Sequence, residues 1–133
     1  MTPFCFELRV YFEDTDFSGR VYHGAFIRFL ERGRTELLRA AGLDHRALAA
    51  ADPPVYFTLR RLDATFHGPA VIDELLTVET EPLAAGRASF RLRQAIVVGT
   101  RRLVSAEAEL CLIGADGRPR RPPPDVRAVL APA

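Results

Sequence analysis

Residues 10–38 read VYFEDTDFSGRVYHGAFIRFLERGRTELL, and two carboxylates, Asp14 and Asp16, stand there between a strand-like run and an apolar, helix-like one. A carboxylate a few residues before a helix start has free backbone N–H groups and the positive end of the helix dipole for neighbours, and both favour an oxyanion. A carboxylate beside an oxyanion site is the minimum equipment for attack on an acyl carbon, as nucleophile or as a base on water. Acidic residues at a turn also simply end strands, so spacing alone leaves both readings open. His23, close to the helix start, is the second candidate, an imidazole able to take or give a proton. His45 and His67 read as loop or strand-end residues and receive no role.

Other chemistries find little support. With three histidines, no HExxH and no cysteine–histidine spacing, neither a metal site nor a cofactor is expected. A GxSxG nucleophile elbow and the common glycine-rich nucleotide loops are absent from the sequence. Cys5 and Cys111 are far apart in strand-like runs and read as buried reduced thiols of a cytoplasmic protein. A net charge of +1 offers no general attraction for nucleic acid or acidic lipid. No run approaches the roughly 20 apolar residues of a membrane span, and the opening MTPFCFELRV lacks the pattern of a secretory signal. All 18 basic residues are arginine, so any anion binding falls to forked guanidinium groups, which suit phosphate.

The elements that must position the carboxylates can be read from periodicity. Phe4, Phe6, Leu8, Val10 and Phe12 alternate with Cys5, Glu7, Arg9, Tyr11 and Glu13, which predicts a half-buried strand over 4–12. From Tyr22 to Ala41 the apolar residues Tyr22, Phe26, Phe29, Leu30, Gly33, Leu37 and Ala40 recur at steps of three and four. That predicts one helix about 30 Å long, closed by Gly42. A loop over 42–54 has room for one short helical turn. Beyond it, Val55, Phe57 and Leu59 alternate on odd positions but Leu62, Ala64 and Phe66 on even ones, so a bulge is expected at Arg60–Arg61. Strands follow over 75–83, 88–98 and 104–112, with Arg91 and Arg93 facing Glu107 and Glu109 across the last hairpin. A proline-rich stretch and a terminal helical turn over 126–130 complete the chain. At 133 residues this is one domain, 1–133, of the α+β class: a meander of about four strands plus the first strand, wrapped round one long helix. The uncovered face and edges of such a sheet favour pairing with a second copy.

The block Glu13-Asp14-Thr15-Asp16, Gly19, Val21-Tyr22-His23, Phe26 and Glu31-Arg32-Gly33-Arg34-Thr35-Glu36 closely resembles the acyl-CoA thioesterases of the 4-hydroxybenzoyl-CoA thioesterase and YbgC type, which have the hotdog fold. The likeness continues more weakly through GPAVIDELLTVETE and SFRLRQAIV. It implies hydrolysis of an acyl-CoA to free acid and CoA by a homodimer or homotetramer, with sites at subunit interfaces. Asp16 is then the catalytic carboxylate, and backbone N–H groups around His23 and Gly24 polarise the carbonyl. His23 assists proton transfer or orients the site, and Asp14 holds the turn. Tyr22, Phe26 and Phe29 help wall the acyl pocket, whose depth depends on side chains of the helix and of the strand starting at Val55. Arg87, and Arg120 or Arg121 in the tail, are the candidates for the phosphates of CoA. Phe12 stands where relatives often carry a second tyrosine, so no hydroxyl role transfers to it. Gly33 replaces the usual alanine, implying close packing of the helix there at up to about 1 kcal/mol of helix propensity. An acyl-carrier-protein thioester as substrate, or a non-catalytic acyl-CoA binding module, are the alternatives.

Overall fold

The computed structural model describes residues 2–133. The order is β1 (Phe4–Arg9), a short 3₁₀ turn (Phe12–Asp14), α1 (His23–Ala40), α2 (His45–Ala49), β2 (Tyr56–Phe66), β3 (Leu75–Ala85), β4 (Ser89–Val98), β5 (Arg101–Ile113) and α3 (Pro124–Leu130). The strands make one antiparallel sheet, ordered β1-β3-β4-β5-β2. The expected α+β architecture, five strands around one long helix, is therefore present. The meander is shorter than expected, though. β2 crosses the whole sheet to pair with β5, leaving only β3, β4 and β5 as consecutive neighbours.

Along α1 the inward residues Phe26, Leu30, Arg34 and Leu38 recur every fourth position, and all four are buried. The front half of the helix packs into a core with Leu8, Val10, Leu76, Val78, Ile96 and Val104. The rear half shares a second core with Phe90, Leu92, Leu110, Leu112 and the α3 residues Val126 and Leu130. Gly33 lies between them. A methyl group added there would stand 2.5 Å from Val78 Cγ1 and 3.2 Å from Thr80 Oγ1, so the missing side chain lets helix and β3 approach closely, as the sequence implies.

The predicted bulge is found between Leu59 and Arg61, where the pairing of β2 with β5 shifts register. β1 is shorter than predicted. Its pairing continues through Val10, which exchanges backbone hydrogen bonds with Glu74 and Asp73 at 2.9 and 3.0 Å. The next amide, on Tyr11, donates instead to the Asp14 carboxylate at 2.8 Å, and the chain turns. Phe12, placed by alternation on the inner side, is consequently 82% exposed.

On the outer face, Arg91 and Arg93 do stand opposite Glu109 and Glu107. The ion pairs within reach are others: Arg93 with Glu81 of β3, and Arg60, beside the bulge, with Glu109, both at 3.3 Å. An arginine in mid-sheet has an acid on each flanking strand, and local rotamers decide between them. Cys5 is exposed and Cys111 half-buried, correcting the expectation that both are buried; neither is in a disulfide. No helix is long and apolar enough to cross a membrane among the described residues.

Candidate active site

The turn between β1 and α1 is held by a dense set of local hydrogen bonds. Asp14, buried, accepts from Tyr11 N through its carboxylate. Its own carbonyl oxygen accepts from Tyr22 N at 2.9 Å. That is the turn-holding role expected of it. Thr15 pairs with Val21 and Arg20 with Val71 as isolated bridges, so the loop is a small hairpin laid on the sheet edge. At its tip Gly19 takes φ +78°, a left-handed conformation that glycine adopts without strain.

Asp16 sits at the neck of this hairpin. Its amide donates to Arg20 O and its carbonyl accepts from Gly19 N, both at 2.9 Å. Its side chain is exposed, and Oδ1 accepts from Ser18 N at 2.8 Å and from Ser18 Oγ at 2.6 Å. Oδ2 has no hydrogen-bond partner among the described residues. The two Ser18 bonds, with lesser help from the positive charge of Arg20 and His23, hold the Asp16 carboxyl below the usual carboxylate range, against an opposing effect of desolvation. One oxygen is thus anchored, and the other is a free anionic oxygen.

The start of α1 is unusual in having Tyr22 at the N-cap, with no side chain capping the first turn. Ser, Thr, Asp or Asn there would satisfy an amide and contribute about 0.5–2 kcal/mol. Instead, the Tyr22 carbonyl takes Ala25 N and Phe26 N, while the His23 and Gly24 amides precede the helix's own ladder. Uncapped amides at a helix N-terminus are suited to an oxygen that is gaining negative charge. Glycine at 24 serves this end: an added methyl would stand 2.5 Å from the Tyr22 ring, which folds across the helix start. His23 is exposed, with its ring centred 4.2 Å from that of Tyr22 and 6.2 Å from that of Phe66. Phe26 packs on Phe66 from below at 6.1 Å.

Asp16, Tyr22, His23, Gly24 and Phe26 are therefore gathered at one end of the molecule. Phe26 and Phe29, 3% and 0% exposed, both belong to the front core, so neither offers open surface within the single chain. Arg87 and Arg121 lie elsewhere. Arg87 is in the β3–β4 turn, where the Arg127 guanidinium donates to the carbonyl oxygens of Gly86 and Arg87 at 2.8 and 3.3 Å. That turn and the tail carrying Arg121 border the rear core, at the far end of α1 from His23. Both arginines are exposed.

One feature escaped the sequence reading, the partnership of Ser18 with Asp16. Ser18, two residues after Asp16, has the spacing of a side chain–backbone turn, a signal that was there to use. A cavity of about 400 Å³ opens between the middle of α1, α2 and β2, and none of the anticipated site residues lines it. Its walls come from four separate stretches, residues 31–38, 45, 55–59 and 110, the helix and the strand from Val55 contributing most of them. Among the described residues no three His, Cys, Asp or Glu side chains converge as metal ligands.

Comparison with known proteins agrees with this arrangement. The thioesterase superfamily profile named 4HBT matches residues 18–105. The acyl-CoA thioester hydrolase YbgC of Escherichia coli is 36% identical over 121 residues, 91% of this chain and 88% of that protein. The acyl-CoA thioesterase YbgC of Haemophilus influenzae is 34% identical over 110 residues, covering 83% of this chain and 80% of its own. Among solved structures, a probable thioesterase from Bartonella henselae superposes with a TM-score of 0.89 at 41% identity, covering 91% of this chain and 99% of that one. The 4-hydroxybenzoyl CoA thioesterase of a Pseudomonas strain, at 20% identity, shares the fold with a TM-score of 0.88 over 97% of this chain and 99% of its own. With a sheet wrapped on one helix and a carboxylate turn leading into that helix, the chain belongs to the thioesterase superfamily, has its hotdog fold, and is a thioester hydrolase.

Proposed function

We propose that the substrate is an acyl-CoA, hydrolysed to a free acid and CoA, and that Asp16 is the carboxylate that performs the attack. The observation carrying this reading is the pairing of an anchored, anionic Asp16 having one free oxygen with a helix start whose first amides are uncapped. The thioester carbonyl oxygen is received by the N–H groups of His23 and Gly24, which stabilise the charge it gains as the carbon becomes tetrahedral. Asp16 Oδ2 either bonds to that carbon, expelling the CoA thiolate and leaving an anhydride for water to open, or takes a proton from the attacking water. In both routes one water is consumed, and the thiolate leaves as the CoA thiol after protonation. His23 stands beside the helix start to orient the thioester or return that proton, and Tyr22 forms the near wall of the acyl site with Phe26 behind it.

A homodimer or homotetramer completes the site in this reading. The 11-residue β2 is an edge strand, with one side unpaired and Tyr56, Leu59 and Phe66 exposed along it. A long apolar edge of that kind favours pairing with another copy. Arg87 and Arg121 bind CoA phosphates as contributions from a second copy, since within their own chain they lie at the far end of α1. A cytoplasmic setting accords with the two free cysteines.

The test is thiol release from a panel of short, long, branched and aromatic acyl-CoAs, set beside the matched carrier-protein thioesters. Turnover of CoA thioesters in preference to the carrier-protein forms is expected; stoichiometric binding with the thioester recovered intact would overturn the reading. Single turnover in heavy-oxygen water separates the routes, because label enters the Asp16 carboxylate only if an anhydride forms.

A further inference from the structure

Three inward positions, one on each of α1, β3 and β4, carry polar side chains where their neighbours are apolar. Arg34 comes between Leu30 and Leu38 on the buried stripe of α1, Thr80 follows Val78 on β3, and Gln94 separates Leu92 from Ile96 on β4. The three meet where the front core ends and the rear core begins, and they are 7%, 1% and 2% exposed. Gln94 Nε2 donates to the carbonyl oxygen of Leu30 at 3.0 Å and to Thr80 Oγ1 at 2.9 Å, and its Oε1 accepts from Arg34 Nη1 at 2.9 Å. Gln94 thus braces both the guanidinium and the helix backbone. Among the described residues no enclosed side-chain nitrogen or oxygen is left without a partner, so the network is complete.

Stability alone does not call for such a seam. Arg34 makes no ion pair among the described residues. Burying a cation without a counter-ion is costly, and apolar side chains of similar volume fill a core without that cost. Direction is what the polar groups add. Apolar contacts hold a helix against a sheet but are non-directional, whereas a hydrogen bond to one particular carbonyl is specific in both distance and angle. Gly33 brings the two surfaces close enough for that bond, since an added methyl there would meet Val78 and Thr80.

The seam also closes a circuit with the candidate site. At its near end α1 is tied to the Asp16 turn by the bond from Tyr22 N to Asp14 O at 2.9 Å. One bond leaves a rod free to pivot about it; a second anchor at Leu30, ~10 Å further along the axis, fixes the rod's direction. On the sheet side Thr80 stands opposite Phe4 of β1, the strand that leads to Asp16. We infer that Gln94 is a positioning residue: by pinning Leu30 O and Arg34 to the sheet it fixes the direction of α1, and with it the aim of the His23 and Gly24 amides at the carbonyl that Asp16 attacks. The catalytic part of this statement rests on the proposed thioesterase reaction; the anchoring of the helix does not.

The test replaces the whole seam by apolar groups of similar volume, Arg34→Met, Thr80→Val and Gln94→Met together in the full chain. The urea midpoint should equal or exceed that of the wild type. At the same time kcat for butyryl-CoA should fall about tenfold to 100-fold, with KM within about twofold. Butyryl-CoA is the probe because Arg34, ~15 Å along the axis from Gly24, lies beyond the reach of a four-carbon acyl group. The backbone amide resonances of His23 and Gly24 should shift as well, which a loss of stability alone does not produce. If the triple variant does not fold, Thr80→Val and Thr80→Ser take its place: kcat should fall about threefold in the first and be retained in the second, which keeps the hydroxyl. A folded triple variant with wild-type kcat overturns the inference. So does a kcat that merely tracks the folded fraction, unmoved His23 and Gly24 resonances, or wild-type turnover in Thr80→Val. If the wild type releases thiol from no CoA thioester while those resonances still move in the triple variant, the thioesterase reading has failed and the anchoring stands.

Discussion

The amide of Tyr22 donates to the carbonyl oxygen of Asp14 at 2.9 Å, so the residue that begins α1 is tied to the turn that presents the catalytic candidate. Asp14 spends its carboxylate on the other side of the turn, on Tyr11 N. The two acids of the motif thus divide the work: Asp14 builds the corner, and Asp16 keeps an oxygen free. Replacing one should not mimic replacing the other.

Asp16→Asn removes the anion while preserving shape and the bonds from Ser18. Turnover of acyl-CoA should fall by about 10²–10⁴, the range for loss of a positioned base. The melting temperature should fall only slightly, because the side chain is exposed and solvent screens most of what its charge contributes. Thiol release and thermal melts measure the two, and wild-type turnover in this variant would remove Asp16 from the mechanism.

The acid limb of the pH–rate profile reports the same group. With its carboxyl held down chiefly by the two Ser18 bonds, Asp16 stays ionised below the ordinary carboxylate range, and kcat/KM should persist to correspondingly low pH. Ser18→Ala removes the largest of those influences, so the limb should move upward in pH. The sign is the same for stability: a depressed carboxyl favours the folded state above its unfolded pKa, and that contribution is lost as pH falls through the folded value. An acid limb that does not move in Ser18→Ala would place the controlling group elsewhere.

Gly33→Ala tests the closeness of α1 to the sheet. Overpacking against Val78 and Thr80 should cost about 1–3 kcal/mol, offset by up to about 1 kcal/mol of helix propensity, for a net loss in urea denaturation. Val78→Ala in the same chain should recover part of it, and that non-additivity separates a clash from a general weakening.

Gln94→Ala strips the brace from Arg34 and leaves an N–H of the guanidinium and the carbonyl oxygen of Leu30 without that partner. A loss of about 1–3 kcal/mol per orphaned buried group is expected, before the vacated volume is added.

What the sequence determined by itself is what neighbouring residues decide among themselves. Period two along Phe4–Arg9 and steps of three and four through Phe26, Phe29, Leu30 and Gly33 name a strand and a helix because side-chain direction follows backbone geometry residue by residue. The bulge at Leu59–Arg61 was legible for the same reason, since one inserted residue reverses the alternation that follows it. So was the motif from Glu13 to Glu36, whose parts lie in order along a single turn and helix. Tertiary structure decided the rest. That β2 joins β5 depends on which edges meet, and no property of β2 alone encodes it. That β1 stops short of Phe12 depends on the competition for the amide of Tyr11, which the carboxylate of Asp14 wins. The separation of Arg87 and Arg121 from Asp16 within one chain, and the enclosure of Arg34 against Gln94 some 60 residues away, arise only when distant segments share one core. Burial and pairing are properties of the folded surroundings, and a linear pattern carries only the side chain's half of each contact.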